Sequence, residues 1–265
     1  MPLTSTCAKV CTIAEEAGRL ALAYFNERSR LKIETKGPQD FVSQADRAVE
    51  TLIRDRLSEA FPDDGIVGEE HAESTGRSGF TWVIDPIDGT ANFINGIPVW
   101  CVVLAGVRDD RTRIGVIHDP VHGETWTAEQ SRGAALNGAP LCLAAGETLA
   151  DGTVGIGLSR RAGPERAADL IRAVLRSGGM FTRNASGALS LAYVASGRLI
   201  GFAEAHMNAW DCLAGQLIVA EAGGRIEDQG ADAMLARGGR VVAGAPGVFE
   251  ELLVLADAAF SVEMN

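Results

Sequence analysis

Apolar residues recur every third or fourth position over residues 4–28, where Val10, Ile13, Ala14, Ala17, Leu20, Ala21 and Tyr24 share one face. That period predicts an amphipathic helix. Lys36-Gly37-Pro38 breaks the pattern, and a second helix is expected from about Ser43 to Phe61. Val49, Leu52, Ile53 and Leu57 form its apolar face, Ser43 offers an N-cap, and Pro62-Asp63-Asp64-Gly65 ends it with turn chemistry. The rhythm then shifts towards strands. Thr81 to Ile84 is short and apolar, and Val99 to Val107 reads as a buried strand. Ile114–His118 and Thr125–Ala128 flank Asp119-Pro120-Val121-His122-Gly123 as a hairpin, and Asn137-Gly138 signals a tight turn.

The second half alternates. Strands are expected at Thr153–Ile156, Met180–Arg183, Leu199–Ala203 and Val241–Ala243. Helices are expected at Pro164–Arg176, Gly187–Ser196, Trp210–Ala222 and from Pro246 onward. There is no internal repeat and no low-complexity linker. Helices first, then antiparallel strands, then alternating helix and strand imply sheets layered with helices.

Composition narrows the class. The 265 residues suffice for one large domain or two interlocked halves. Hydrophobic residues make up 46% and charged residues 22%, as in ordinary globular chains. A net charge of -11 makes general nucleic-acid binding a poor expectation. Cys7, Cys11, Cys101, Cys142 and Cys212 form no C-x-x-C pair and read as reduced, buried thiols. Without a signal peptide or a membrane-length apolar run, a cytoplasmic protein is expected.

The chemistry concentrates in Trp82-Val83-Ile84-Asp85-Pro86-Ile87-Asp88-Gly89-Thr90-Ala91-Asn92-Phe93. A strand ends at Asp85, Pro86 fixes a turn, and Gly89 permits an unusual backbone angle before a helix. Asp85 and Asp88 can converge on one point, with the Ile87 carbonyl between them as a further oxygen ligand. Such hard ligands suit magnesium better than zinc. The N–H groups of Gly89 and Thr90 at the helix start offer an anion site. Gly68-Glu69-Glu70 and Trp210-Asp211 supply further acids. Segments 63–72, 82–100 and 199–212 contain no Lys or Arg, so converging carboxylates there would be protonated or bind metal. A lone Asp-Pro-x-Asp-Gly would read as turn residues, but the segments together favour a metal cluster.

These segments, with Lys36, Asp40-Phe41-Val42-Ser43, Asp46 and Gly223-Gly224, resemble the inositol monophosphatase family, from Lys36 to about Gly244. The resemblance implies an α+β fold, a five-layered α-β-α-β-α sandwich of the inositol monophosphatase / fructose-1,6-bisphosphatase type. It implies a single domain over 1–265, with an N-terminal α+β half to about 145 and a C-terminal α/β half from about 146. It implies two to three Mg2+ ions. Glu69, Asp85 and the Ile87 carbonyl would hold the first, Asp85, Asp88 and Asp211 the second, and Glu69 a third, weaker one. Asp46 and Thr90 would position and deprotonate the attacking water. Gly89 and Thr90 would bind phosphate. A homodimer and lithium sensitivity are also implied.

The implied reaction is hydrolysis of inositol monophosphate to inositol and phosphate. Ala91-Asn92-Phe93 is similar to inositol phosphatases, whereas relatives acting on phosphoadenosine nucleotides tend to carry Lys-Glu-Phe and histidinol phosphatases Arg-Ala-Phe. Glu204 matches the position that meets a polyol hydroxyl, and Gly187, Asp211 and Ser159 line the substrate side. Asn208 stands where animal enzymes carry His, and Ser190 where many relatives carry Asp or Asn. Histidinol phosphate, fructose 1,6-bisphosphate or another sugar phosphate is the alternative, as is a regulatory role on a protein partner such as RNA machinery. His118 and His122 read as ordinary structural or surface residues.

Overall fold

The structure, a computed structural model, describes residues 3–28, 33–37, 40–146, 148–159 and 161–261, with residues 33–37 and 40–42 traced by their backbone. Helix α1 spans Ser5–Asn26, and the Thr4 hydroxyl caps it by accepting from the Cys7 N–H at 3.2 Å. Strands β1 (Ile33–Gly37) and β2 (Asp40–Ser43) pair antiparallel where the sequence suggested only a break. Helix α2 covers Gln44–Ala60, with Ser43 as its N-cap as expected.

Strands β3 (Gly65–Gly68) and β4 (Thr81–Asp88) follow, then the short helix α3 (Thr90–Asn95). Strands β5 (Cys101–Arg108), β6 (Arg111–Asp119), β7 (Glu124–Glu129), β8 (Gly133–Leu136) and β9 (Ala139–Pro140) complete the first sheet. The hairpin at 119–123 and the turn at Asn137-Gly138 fall where the sequence placed them. The second half contributes β10 (Thr153–Ile156), α4 (Pro164–Arg176), β11 (Met180–Thr182), α5 (Gly187–Ala195) and β12 (Gly201–Met207). Helix α6 (Ala209–Glu221), β13 (Arg225–Ile226), α7 (Ala231–Arg237), β14 (Gly239–Gly244) and α8 (Phe249–Phe260) end it.

Five layers result. Helices α1 and α2 bury Val10, Ala14, Val49, Ile53 and Leu57 against one face of the seven-stranded sheet, ordered β3-β4-β5-β6-β7-β8-β9. On its other face, α5 and α6 pack between this sheet and the five-stranded sheet β11-β10-β12-β14-β13. Helices α4 and α8 cover the outer face of the second sheet through Leu170, Val174, Leu252 and Ala256. Residues Cys212 to Val219 of α6 are buried nearly all round, as a helix sandwiched by two sheets must be. The expected α-β-α-β-α sandwich is the fold observed.

All five cysteines are free thiols, but Cys142 is exposed and Cys11 half-buried, so the expectation of uniformly buried thiols fails there.

Candidate active site

The site forms where β4 meets α3, and its geometry depends on one extra residue. In a strand, positions three apart face opposite sides. Asp85 pairs with Val103, but Asp88 pairs with Cys101, so two residues of β4 oppose one of β5. This bulge reverses the alternation and lets both aspartates reach the same side. Pro86 sits in it, where the missing N–H breaks no ladder bond. The strand thus runs on to Asp88, beyond the end expected at Asp85.

Asp211 enters from α6, where it occupies the first turn. Its Oδ2 accepts the backbone and side-chain N–H of Asn208, both at 3.2 Å. Asn208 is thereby explained as a helix cap that orients Asp211. Carboxylate oxygens of Asp85, Asp88 and Asp211 lie within 4.8 Å of one another. Burial is the largest influence on all three and raises them. Neighbouring carboxylates push the same way on two of them: Glu69, Asp88 and Asp211 on Asp85, and Asp88 on Asp211, which rises to about 7. Glu69 also lines the cavity beside the cluster.

Asp88 is steadied from the far side. Its Oδ2 accepts the Ser186 hydroxyl at 2.5 Å and the Ala188 N–H at 2.8 Å, at the start of α5. The positive end of that helix favours the carboxylate there, and these bonds partly offset the effect of burial. Asp85 Oδ1 accepts the Ile87 N–H at 2.8 Å, which fixes the tight path between the two acids.

Asp46 and Thr90 also meet. Asp46 closes the capping box of α2 by accepting the Ser43 N–H at 2.8 Å and its hydroxyl at 2.6 Å on Oδ2. Its Oδ1 faces the Thr90 hydroxyl at 3.3 Å, and that hydroxyl is also 3.1 Å from the Ile87 carbonyl. One hydroxyl proton can serve only one of these acceptors at a time. Burial pushes Asp46 up from its ordinary value, against its bonds to Ser43. Gly89 takes φ 97° to pass from β4 into α3, a left-handed conformation that a side chain would strain.

Beside the acids lies a cavity of about 440 Å³, lined by Glu69, Asp88, Gly187, Glu204 and Asp211 among others. Ser159 and Ser190 also line it. Burial, with Asp211 and Asp88 nearby, pushes Glu204 up to about 8. The Ser190 hydroxyl lies 2.8 Å from the Ser186 carbonyl and 2.9 Å from Asn184 Oδ1, and so shapes the wall. His118 is buried against the Thr125 hydroxyl and His122 meets Asp119, both away from the cavity, as read from the sequence.

Glu50 and Ser186 escaped the sequence reading, and Asn92 entered it only as part of a motif. Glu50 is fully buried and accepts the N–H groups of Glu70 and His71 at 2.8 and 3.2 Å, fixing the segment that carries Glu69. Asn92 donates to the carbonyls of Val99 and Asn184, tying α3 to the loop before α5. Ser186 holds Asp88. For Glu50, the available signal was an acid on the apolar side of α2, next to Val49 and Ile53.

The donor set fits a hard divalent cation: clustered carboxylates, an adjacent backbone carbonyl, and burial that disfavours the acids as bare anions. Fold and site together define a class, the layered α+β proteins with a carboxylate cluster that could hold metal at the mouth of a polar cavity. Comparison with known proteins specifies it. The profile of the inositol monophosphatase family matches residues 4–260, and the chain belongs to that family. It is 39% identical to an inositol-1-monophosphatase of Mesorhizobium japonicum over 87% of this chain and 88% of that one. It is 36% identical to the Nus factor SuhB of Escherichia coli over 91% of each. The crystal structure of extragenic suppressor protein suhB from Bartonella henselae superposes with a TM-score of 0.89, at 33% identity, over 97% of this chain and 98% of that one.

Proposed function

We propose that the protein is a magnesium-dependent phosphomonoesterase that hydrolyses inositol monophosphate or a closely similar polyol phosphate. The observation that carries this reading is the convergence of Asp85, Asp88 and Asp211 at the edge of a cavity large enough for such an ester. Asp85, Asp88 and Asp211, with Glu69 and the Ile87 carbonyl, would hold two to three ions. Magnesium, when bound, neutralises phosphoryl charge and makes a nearby water more acidic.

The chain's own groups do the rest. Asp46 holds the Thr90 hydroxyl, and this pair orients the attacking water and takes up its proton. Gly89 and Thr90 turn first-turn N–H groups of α3, which lack intrahelical acceptors, towards the phosphate. Glu204 accepts a hydroxyl of the polyol, and Gly187, whose missing side chain leaves room for Met207, forms the wall the polyol lies against. The test is phosphate release from a panel of esters with and without magnesium. Histidinol phosphate hydrolysed orders of magnitude faster than inositol 1-phosphate would overturn the substrate assignment.

The relatives support a second reading, since some of similar identity carry the name Nus factor. A regulatory role on a protein partner would survive Asp88→Asn in cells, and a catalytic one would not. We further read the whole chain as one domain and the active form as a homodimer. The exposed edge strand β11, with Met180 and Phe181, is the surface we assign to the second subunit, which sedimentation would check. No described helix is long and apolar enough to cross a membrane, and five free thiols suit the cytoplasm.

A further inference from the structure

The cavity is lined by two guanidinium groups that the proposed hydrolysis does not use, Arg161 and Arg183. The chain carries 35 acidic residues to 24 Lys and Arg, so an arginine lining a cavity without a carboxylate partner is available to a ligand. Among the described residues, Arg54, Arg198 and Arg240 each hold a carboxylate within 4.0 Å, whereas neither Arg161 nor Arg183 does.

Arg161 approaches one side chain, with Nη1 at 3.2 Å from His206 Nε2. That same nitrogen lies 2.9 Å from the Arg237 carbonyl, which can only accept. The shorter contact places the proton on Nε2, so His206 cannot accept from Arg161. Among the described residues, the guanidinium then meets no hydrogen-bond acceptor. Its backbone is held by the Ser159 hydroxyl, which accepts the Arg161 N–H at 3.2 Å.

Arg183 is anchored through the next residue. Asn184 gives its carbonyl to the Asn92 side-chain amide at 2.7 Å, and its Oδ1 accepts from the Ser186 N–H at 3.0 Å. Arg183 acts electrostatically on Glu204, while no guanidinium figures among the leading charges on Asp85, Asp88 or Asp211. Arg183 therefore stands on the Glu204 side of the cavity, away from the acids proposed to hold metal, and Arg161 lines the same cavity beside His206, two residues further along β12. Glu204 itself has no hydrogen-bond partner among the described residues. A ligand that meets both would offer a hydroxyl to the carboxylate and an anion to the guanidiniums.

We propose that Arg161 and Arg183 form a second anion subsite, which selects polyol or sugar phosphates bearing another phosphate or a carboxylate on the same carbon skeleton. The inference rests on the phosphatase reading and adds a preference within its substrate class. Forked guanidinium donors suit either oxyanion.

Two matched pairs test it: fructose 1,6-bisphosphate against fructose 1-phosphate, and gluconate 6-phosphate against glucitol 6-phosphate. The expected result is a kcat/KM roughly tenfold or more higher for the doubly anionic member of at least one pair, carried mainly by KM. A gain in the first pair alone identifies phosphate as the second anion, and in the second pair alone carboxylate. Arg183→Gln, and separately Arg161→Gln, should shrink that ratio several-fold, and the double variant should bring it close to one. Calorimetry of the same compounds with calcium in place of magnesium reads the subsite without turnover.

Equal kcat/KM within both pairs, or a preference untouched by both substitutions, overturns the subsite. If no ester releases phosphate with magnesium, the phosphatase reading falls instead. Calorimetry then decides the subsite: tighter binding of the dianionic member, lost in the double variant, supports it, and equal binding refutes it.

Discussion

The Glu50 carboxylate occupies the space that a side chain on Gly68 would need: a Cβ there would fall 2.3 Å from Glu50 Oε1. A buried acid on α2 and a glycine on β3 are thus one device, a clamp on the loop that carries Glu69. Glu50→Ala would leave Arg54 without its carboxylate and two N–H groups without an acceptor. We expect a loss of about 2–4 kcal/mol in denaturant unfolding. We also expect a rise of about 10- to 100-fold in the magnesium needed for half-maximal activity. Gly68→Ala should produce the second effect by displacing Glu50. Unchanged magnesium dependence in both variants would sever the clamp from the site.

Asp88→Asn keeps the shape of the side chain and removes its charge. Phosphate release should fall by at least about a hundredfold. Stabilisation of the fold by added magnesium, read as a rise in Tm, should largely vanish. A variant with near-normal turnover would remove Asp88 from the proposed ligand set.

Burial and mutual repulsion set a pH dependence for the cation-free protein. Asp211 is pushed up to about 7 and Glu204 to about 8. In the unfolded chain both return to ordinary carboxylate values, so the folded state binds more protons between roughly pH 4 and 8. Their contribution to stability is complete below the unfolded values and is lost as pH rises through 7 to 8. In a chelator, Tm should therefore fall between pH 6 and pH 9, and saturating magnesium should flatten that slope. A Tm that rises with pH in the chelator would contradict the assignment.

Ala185 adopts φ 62° in the loop before α5, a conformation that costs an alanine about 1–2 kcal/mol. Ala185→Gly removes that strain and gives back part of the gain as unfolded-state entropy. The expected net stabilisation is about 0.5–1 kcal/mol, measurable by urea unfolding.

Lithium is a small hard cation that can compete for a weakly held magnesium position. We expect inhibition at concentrations up to about tens of millimolar. Activity indifferent to that range would place this chain apart from the lithium-sensitive pattern it resembles.

Periodicity carried much of the fold. Helices α1 and α2, the β6–β7 hairpin, the turn at Asn137-Gly138 and the alternation from β10 to α6 were all legible, because each is long, strongly patterned or marked by turn residues. Strand β13 and helix α7 were not. The first has two residues and the second seven, too few for a period to show. Strand β4 was cut short at Pro86 because proline ordinarily ends a strand, and a bulge that accommodates it leaves no local signature. Asp85, Asp88 and Asp211 stood out as acids without basic neighbours in sequence. Glu50 did not, since its role depends on a loop twenty residues away, and Arg161 and Arg183 gain meaning only from a cavity built by distant strands.

The bulge in β4 has a counterpart in β12, where Glu204 pairs with Val241 and Met207 with Gly239, again two residues against one. Acids on both sides of the cavity thus stand beside an odd insertion in their strand. The site is written in parity as well as in identity. A substitution at Ile87 or Ala205 changes one side chain. Deleting either residue would restore even alternation and turn Asp88, or the His206–Met207 end of β12, towards the wrong face. Such a chain would keep every acid in its composition and lose the place where they meet, so loss-of-function alleles here should include single-codon deletions out of proportion to their number.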